Sequence, residues 1–313
     1  MPVTLVTVRR NRGPGRRPAY PRAIVDAVTE NLAIEVRGLR KAYRDTVAID
    51  GLDLAVVRGE VFALLGPNGA GKTTTVEILE GFRRADAGEV TVLGADPRWQ
   101  SAGWRARIGI VLQSTGEFEE LTVAEVVRHF SRYYPDADDP EAVIAKVGLA
   151  DKRSTRAQRL SGGQKRRLDV ALGIIGRPEL LFLDEPTTGF DPEARRDFWD
   201  LLRELATAGT TILLTTHYLD EAEALADRVG VIAHGRLVAV AAPAELGDRR
   251  TALATVRWHD PDDPDGPRSE RTATPTAAVA ALAARFGGEV PGLTVTRPTL
   301  EDVYLSMIGK GAA

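Results

Sequence analysis

Nine consecutive residues, Gly66, Pro67, Asn68, Gly69, Ala70, Gly71, Lys72, Thr73 and Thr74, carry the strongest chemical signal in the sequence. Gly66, Gly71, Lys72 and Thr73 fit the Gly-x-x-x-x-Gly-Lys-[Ser/Thr] pattern of a phosphate-binding loop. Its glycines let backbone N–H groups wrap phosphate oxygens, Lys72 adds a point charge beside them, and the Thr73 hydroxyl is a ligand for Mg²⁺. A second anion site is written at "LSGGQKRRLDVALGII", Leu160 to Ile175. There Ser161, Gly162, Gly163 and Gln164 run into a basic, amphipathic helix, so open N–H groups and the helix dipole point at one place. A third stretch, "LLFLDEPTTGFDP", brings two acids to the end of an apolar run. Asp184 suits hydrated Mg²⁺ and Glu185 suits an attacking water, because successive strand residues point to opposite faces. Two phosphate sites so far apart in one chain need an explanation.

The elements around these residues are legible. "VFALLG", Val61 to Gly66, is a continuous apolar run ending in glycine, as a buried parallel strand feeding a turn should be. Helical spacing follows from Thr74 to Leu79 and is closed by Gly81. "LAIEVRGL" and "TVAIDGLDLAVV" alternate like half-buried strands. From Leu121 to Ile175 only helices are predicted. Strands resume at Leu180–Asp184 and Thr210–Thr216, and "RVGVIAHGRLVAV" reads as a hairpin turning at His234-Gly235. The main domain is therefore an α/β unit over residues 32–246, a mixed sheet interrupted by a helical subdomain at about 114–176. A small C-terminal α/β appendix follows over 247–313: a strand in "TALATVRWH", a loop in "DPDDPDGP", a helix, the strand "GLTVTR", and a last helix capped by Thr299 and Asp302.

Composition narrows the function classes. The 313 residues, 43% hydrophobic and 27% charged, suit a globular protein of one large domain and a lesser one. A net charge of −3 gives no overall case for nucleic-acid binding. Zero cysteines exclude disulfides and thiolate metal sites. The apolar runs are strand-length, short of the ~20 residues that span a bilayer, and no apolar signal-peptide core follows Met1. A soluble, intracellular chain is expected. Residues 1–31 carry six arginines (Arg9, Arg10, Arg12, Arg16, Arg17, Arg22) against Asp26 and Glu30. They read as a basic, disordered extension or an over-long start; an arm touching anionic lipid or nucleic acid is the sharper reading.

Together these motifs resemble the nucleotide-binding subunit of an ATP-binding cassette (ABC) transporter. The resemblance spans about Leu32 to Leu246, with Tyr43, "GPNGAGKTT", Gln113, "LSGGQ", "LLFLDE", "GFDP" and His217 in order. It implies a P-loop NTPase fold, ATP and Mg²⁺ as cofactors, and a head-to-tail dimer with a second nucleotide-binding domain, expected to be another copy. In that dimer Ser161 and Gly163 contact the γ-phosphate of ATP held by the partner's loop, which accounts for two phosphate sites per chain. The resemblance further implies that Tyr43 stacks on adenine, Gln113 meets Mg²⁺ and the attacking water, Asp191 reaches across the dimer, and His217 senses γ-phosphate. Lys72, Gln113, Glu185 and His217 form the implied catalytic set, with Thr73, Gln113 and Asp184 on the metal. Phe190 stands where leucine is more usual. His129, His234 and His259 lack such context and are read as structural.

The tail "RPTLEDVYLSMIGKG" resembles that of ATPases serving drug, antibiotic, lipid and polysaccharide exporters of the daunorubicin-resistance type. This implies a separate transmembrane permease, contacted through the helical insert around Gln113 to Tyr134 and most of all through "STGEFEELTVAEVV", with the subunit peripheral on the inner face of the membrane. The alternative is a soluble ABC ATPase clamping a non-transport partner; a regulatory ATP-driven switch fits the motifs equally.

Overall fold

The computed structural model describes residues 31–111, 118, 120–248, 252–260 and 266–309. The chain opens with strands β1 (Leu32–Tyr43) and β2 (Thr46–Val57), then β3 (Val61–Leu65) feeding helix α1 (Lys72–Leu79). β4 (Ala87–Val92), the single turn α2 (Ala102–Arg105) and β5 (Ile108–Val111) complete the first half. The helical insert follows as α3 (Val123–Ser131), α4 (Pro140–Lys146) and α5 (Gly162–Ile174). After it come β6 (Leu180–Asp184), α6 (Pro192–Thr207), β7 (Thr211–Thr216), α7 (Leu219–Leu225) and the hairpin β8 (Arg228–Ala233) and β9 (Arg236–Ala241).

β5-β6-β7-β3-β8-β9 form a six-stranded sheet, parallel except for β9. Its parallel strands bury both faces, so they read as unbroken apolar runs, whereas the edge strand β9 alternates, with Arg236, Val238 and Val240 exposed. Alternation along them divides the interior in two. Phe62, Leu64, Leu180, Phe182 and Leu213 face a core shared with α1 and the antiparallel sheet β2-β1-β4. Val61, Ala63, Leu181, Leu183, Ile212 and Leu214 face the helical layer. There α3 contributes Val123, Val126 and Val127, α4 Val143 and Ile144, and α5 Leu168, Val170 and Ala171. Each fully buried Leu or Val stabilises the fold by about 1.5–3 kcal/mol, so the sheet is the rigid platform for whatever its strand ends carry. The hairpin turns where predicted, with His234 (φ 49°) and Gly235 (φ 72°) both left-handed.

Beyond residue 252 a small sheet, β11 (Arg268–Thr272), β10 (Ala254–Trp258) and β12 (Thr294–Thr296) in that order, packs on α8 (Pro275–Phe286) around Val256, Trp258, Leu282 and Val290. The sequence reading has no strand at β11. "RSERT" carries no apolar alternation, because every residue but Thr272 is exposed, and only pairing with β10 makes it a strand. The last helix, α9 (Leu300–Gly309), leaves this appendix. Its Leu300 and Val303 join the main core beside Leu246. Thr299 caps it as predicted, donating its own N–H and hydroxyl to Asp302 (both 2.8 Å) and accepting from Asp302 N–H. The Thr-Leu-Glu-Asp-Val string therefore encodes a capped helix with two anchors into the cassette. Tyr304 packs on the same core, and the Ile308 side chain lies outside the described residues.

Candidate nucleotide site

β3 delivers the phosphate loop from the centre of the sheet, and α1 begins at its end. Two glycines there are demanded by the fold. A Cβ on Gly66 would lie 2.5 Å from the Ile232 carbonyl, and one on Gly71 would lie 2.6 Å from that of Ala48. Gly71 also has φ 106°, a conformation costly for any other residue. Pro67, Asn68 and Gly69 are exposed at the tip, Ala70 is buried beneath it, and Thr73 and Thr74 stand on the first turn of α1. Lys72 is only 5% exposed and donates through Nζ to the Gly66 carbonyl (2.7 Å) and the Pro67 carbonyl (3.3 Å). Burial depresses its pKa, and the charges of Glu185 and Asp184 oppose that shift.

The ends of β6 and β7 supply the acids and the histidine. Asp184 is the last residue of β6, and its Oδ1 accepts from the Thr215 hydroxyl of β7. Glu185 lies one residue past the strand with φ 44°. Strand alternation therefore does not separate the two acids as the sequence suggested; a left-handed turn does. That turn is pinned by Glu185 N–H donating to the Thr215 carbonyl and hydroxyl oxygens (both 3.1 Å). Glu185 Oε1 then faces His217 Nδ1 at 3.1 Å and Lys72 Nζ at 4.0 Å. The sheet thus gathers Lys72, Asp184, Glu185 and His217 from three neighbouring strand ends into one network. Gln113 lies outside the described residues.

The signature segment is built differently. Ser161 caps α5 in a reciprocal box: its hydroxyl accepts from Gln164 N–H (3.3 Å), and Gln164 Oε1 accepts from Ser161 N–H (3.0 Å). Gly162 and Gly163, between them, have no carbonyl one turn back to receive their N–H groups. Neither glycine is required for space. A Cβ on Gly162 would meet nothing within 4 Å, and one on Gly163 would make ordinary contact with Ala194 at 3.7 Å. Three residues past Gly163, buried Arg166 ties this helix to the acid-bearing turn, donating to the Asp184 carbonyl (2.8 Å) and the Pro186 carbonyl (3.1 Å).

Asp191, exposed, caps α6 by accepting from the N–H groups of Glu193 (3.0 Å) and Ala194 (2.9 Å). Phe190 meets Phe198 edge-to-face at 5.4 Å, so the aromatic fills part of the core beside that cap. Tyr43, 37% exposed at the end of β1, lies near two cations, Lys41 Nζ at 5.5 Å and Arg83 at 5.3 Å from its ring centroid. His129 meets Tyr133 through a 3.0 Å hydrogen bond, which suits a structural residue. Sequence reasoning missed Thr215, Arg166 and buried Glu80. The available signals were a hydroxyl in a wholly buried strand and single charges at core positions of helices.

The donors present fit Mg²⁺ bound together with phosphates. Thr73 and Asp184 offer hard oxygen ligands, and among the described residues no group of three His, Cys, Asp or Glu side chains could cage a metal alone. The ABC transporter family model matches residues 49–188. A daunorubicin/doxorubicin resistance ATP-binding protein of Streptomyces peucetius is 47% identical over 68% of this chain and 66% of its own length. A Nod factor export ATP-binding protein of Burkholderia orbicola is 38% identical over 88% of this chain and 97% of its own. The chain belongs to the ABC transporter family.

Its fold agrees with solved ABC cassettes. One, an ATP-binding subunit of an ABC transporter, superposes with a TM-score of 0.62 at 27% identity, covering 70% of this chain and 92% of that one. The cbiO1 subunit of the cbiONQ complex from Clostridium perfringens gives 0.62 at 28%, with the same coverage. The chain is an ATP-binding, ATP-hydrolysing cassette of a family whose such subunits dimerise and work with a separate permease. Among the described residues no helix is long and apolar enough to cross a membrane.

Proposed function

We propose that this subunit powers export of a drug, antibiotic or lipid-like molecule through a separate permease, as a head-to-tail pair of copies on the inner membrane face. The observation that carries the pairing is the contrast between glycines. Gly66 and Gly71 are required by their own fold, whereas Gly162 and Gly163 have room for a side chain within theirs. Small residues at an exposed helix N-terminus leave space for something to approach closely, and here that is the γ-phosphate of ATP on the partner's loop. Lys72 sets its positive charge beside the phosphates, Tyr43 stacks on the adenine, Glu185 accepts a proton from the attacking water, and His217, 3.1 Å from Glu185, senses the γ-phosphate. Mg²⁺, on Thr73, Asp184 and Gln113, would neutralise charge on the phosphate oxygens. Asp191 meets the partner copy.

The export reading rests on the tail and on relatives named for drug resistance and Nod factor export. The permease would sit on the helical insert. There Phe118 packs edge-to-face on Phe130 at 5.2 Å, and Glu120 accepts from Arg156 (3.3 Å) and Gln158 (3.4 Å). Glu119 lies outside the described residues. Glu185→Gln tests the hydrolytic role: turnover should fall by about 10²–10⁴, with ATP retained and a dimer accumulating. Undiminished phosphate release would remove Glu185 as the base. Capture of a multi-spanning membrane protein by the tagged subunit, at near-equal stoichiometry, tests the permease; recovery of only soluble partners would favour an ATP-driven clamp.

A further inference from the structure

The turn between β8 and β9 meets the phosphate loop on the side of buried Ala70, and the nucleotide chemistry assigned above does not use it. Gly235 N–H donates to the Ala70 carbonyl at 3.1 Å, inside the loop itself. Just before the turn, the Ile232 carbonyl closes the space at Gly66. The Ile232 side chain reaches within 3.5 Å of where a Cβ on Gly71 would stand. The hairpin therefore touches the loop at its first glycine, its buried alanine and its last glycine.

Strand β2 closes the same junction from the other side. A Cβ on Gly235, which has φ 72°, would lie 2.7 Å from the Ala48 carbonyl oxygen and 3.0 Å from the Ile49 Cα. Gly71 packs against that same carbonyl, so the loop and the turn share one β2 oxygen. Asp50 fastens the turn to β2 twice: its N–H donates to the Gly235 carbonyl (2.9 Å), and its carboxylate accepts from Arg236 Nε (3.0 Å). Arg40 of β1 holds the other carboxylate oxygen at 2.7 Å. Just before Ala48, Thr46 pairs with Tyr43, the aromatic assigned to adenine. Residues 46–48 thus link the base side of the site to the phosphate side.

We propose that Gly235, fastened by Asp50, is a positioning residue: it holds the phosphate loop against β2 and so sets the span between Tyr43 and the loop that a nucleotide must bridge. ATP binds at two points, its base on Tyr43 and its phosphates on the loop. The second contact adds affinity only where the span between the two points matches the ligand. The turn acts through Ala48 and Ala70, not by contact with ATP. Any other residue at 235 adds a Cβ, and Ala48 and the turn must then part by several tenths of an ångström, moving the wall on which Gly71 rests. The left-handed φ adds strain of its own. The loop keeps its internal bonds, including Lys72 to the Gly66 carbonyl.

This inference rests on the reading of Tyr43 as the adenine platform, so Tyr43→Ala is titrated beside Gly235→Ala. Each receives Mg-ATP and, separately, inorganic tripolyphosphate, which fills the loop but has no base. Gly235→Ala should raise the Kd for ATP by about tenfold and leave that for tripolyphosphate unchanged. In turnover its KM for ATP should rise at unchanged kcat. Asp50→Asn keeps the backbone bond and weakens the Arg236 tie. It should show the same selectivity at about two- to threefold, and it carries the test if Gly235→Ala does not fold. Gly88→Ala is the control for strain alone: Gly88 has φ 95°, and a Cβ there would lie 2.6 Å from the Gly38 carbonyl, where β4 meets β1. It should bind both ligands as the wild type does. Equal losses of ATP and tripolyphosphate, a fall in kcat at unchanged KM, or wild-type ATP affinity in the folded variant would overturn the proposal, as would an ATP-selective loss in Gly88→Ala. If Tyr43→Ala weakens ATP alone while Gly235→Ala binds both ligands normally, only the brace fails. If Tyr43→Ala binds ATP with wild-type affinity, the reading beneath it fails.

Discussion

The phosphate loop and the signature segment both present backbone N–H groups at the start of a helix, but only the first is held in shape by its surroundings. Around the loop, Lys72 bonds back onto Gly66, and added Cβ atoms at Gly66 and Gly71 would strike backbone carbonyls. Around the signature, Ser161 and Gln164 secure each other, and the glycines between them face open space or ordinary contact. The first is an anion site complete in its own fold. The second has room at its glycines that its own fold does not use, and on the reading proposed above it is half of a site shared with a second copy. Residue type alone does not separate the two; what an added side chain would strike does.

The strongest break in the comparison is charge. Lys72→Ala should lower ATP turnover by about 10²–10³ and weaken nucleotide binding by the isolated subunit, measured by phosphate release and by titration with ATP. Gly163→Asp should leave ATP binding by the single subunit intact and abolish ATP-dependent dimerisation. Its carboxylate has room and favours the N-terminus of α5, so the melting temperature should hold or rise. A subunit that fails to fold on Gly163→Asp would instead make that glycine a structural requirement.

A smaller effect separates the cap from the contact. Ser161→Ala removes one hydrogen bond of the α5 cap and should cost about 1 kcal/mol of stability by denaturant titration. If the Ser161 hydroxyl also meets the partner's nucleotide, the loss in ATP-dependent dimerisation will exceed what that instability explains.

The last effect concerns the loop side alone. Glu80, buried at the end of α1, has its pKa pushed up from 4.5 to about 8 by burial and by the charges of Asp184 and Glu77. Between those two pH values the folded chain holds a proton that the unfolded chain releases, so stability falls as pH rises from about 4.5 to about 8 and is level above. Glu80→Gln should remove that slope in nucleotide-free protein and raise the melting temperature more at pH 8 than at pH 5. An unchanged slope would show that Glu80 is not the group responsible.

Much of this was legible in the sequence because it is local. The apolar run Val61–Leu65 into glycines, the run Leu180–Leu183 into two acids, and the Ser161 box each hold their meaning within a dozen residues. What escaped is long-range or lacks a pattern. Thr215 acts on Asp184 from the neighbouring strand, Arg166 acts on the Asp184 carbonyl from the insert, and Glu221 meets Thr187 across 34 positions. Glu185 gave the opposite lesson: its place beside Asp184 is plain in the sequence, but its direction comes from a positive φ that strand alternation cannot foresee. The tail helix was correctly capped on paper, yet Leu300 and Val303 belong to the core of the main domain.

The central claim, that each signature segment completes the loop of another copy, is tested by mixing two defective chains in a Glu185→Gln background. One carries Lys72→Ala, with a weakened loop and an intact signature; the other carries Gly163→Asp, with the reverse. Neither alone should form a dimer or retain ATP on gel filtration. The mixture should form a mixed dimer retaining one ATP, at the single interface where an intact loop meets an intact signature. A mixture as monomeric and nucleotide-free as its components, under conditions where the Glu185→Gln parent dimerises, would contradict the account.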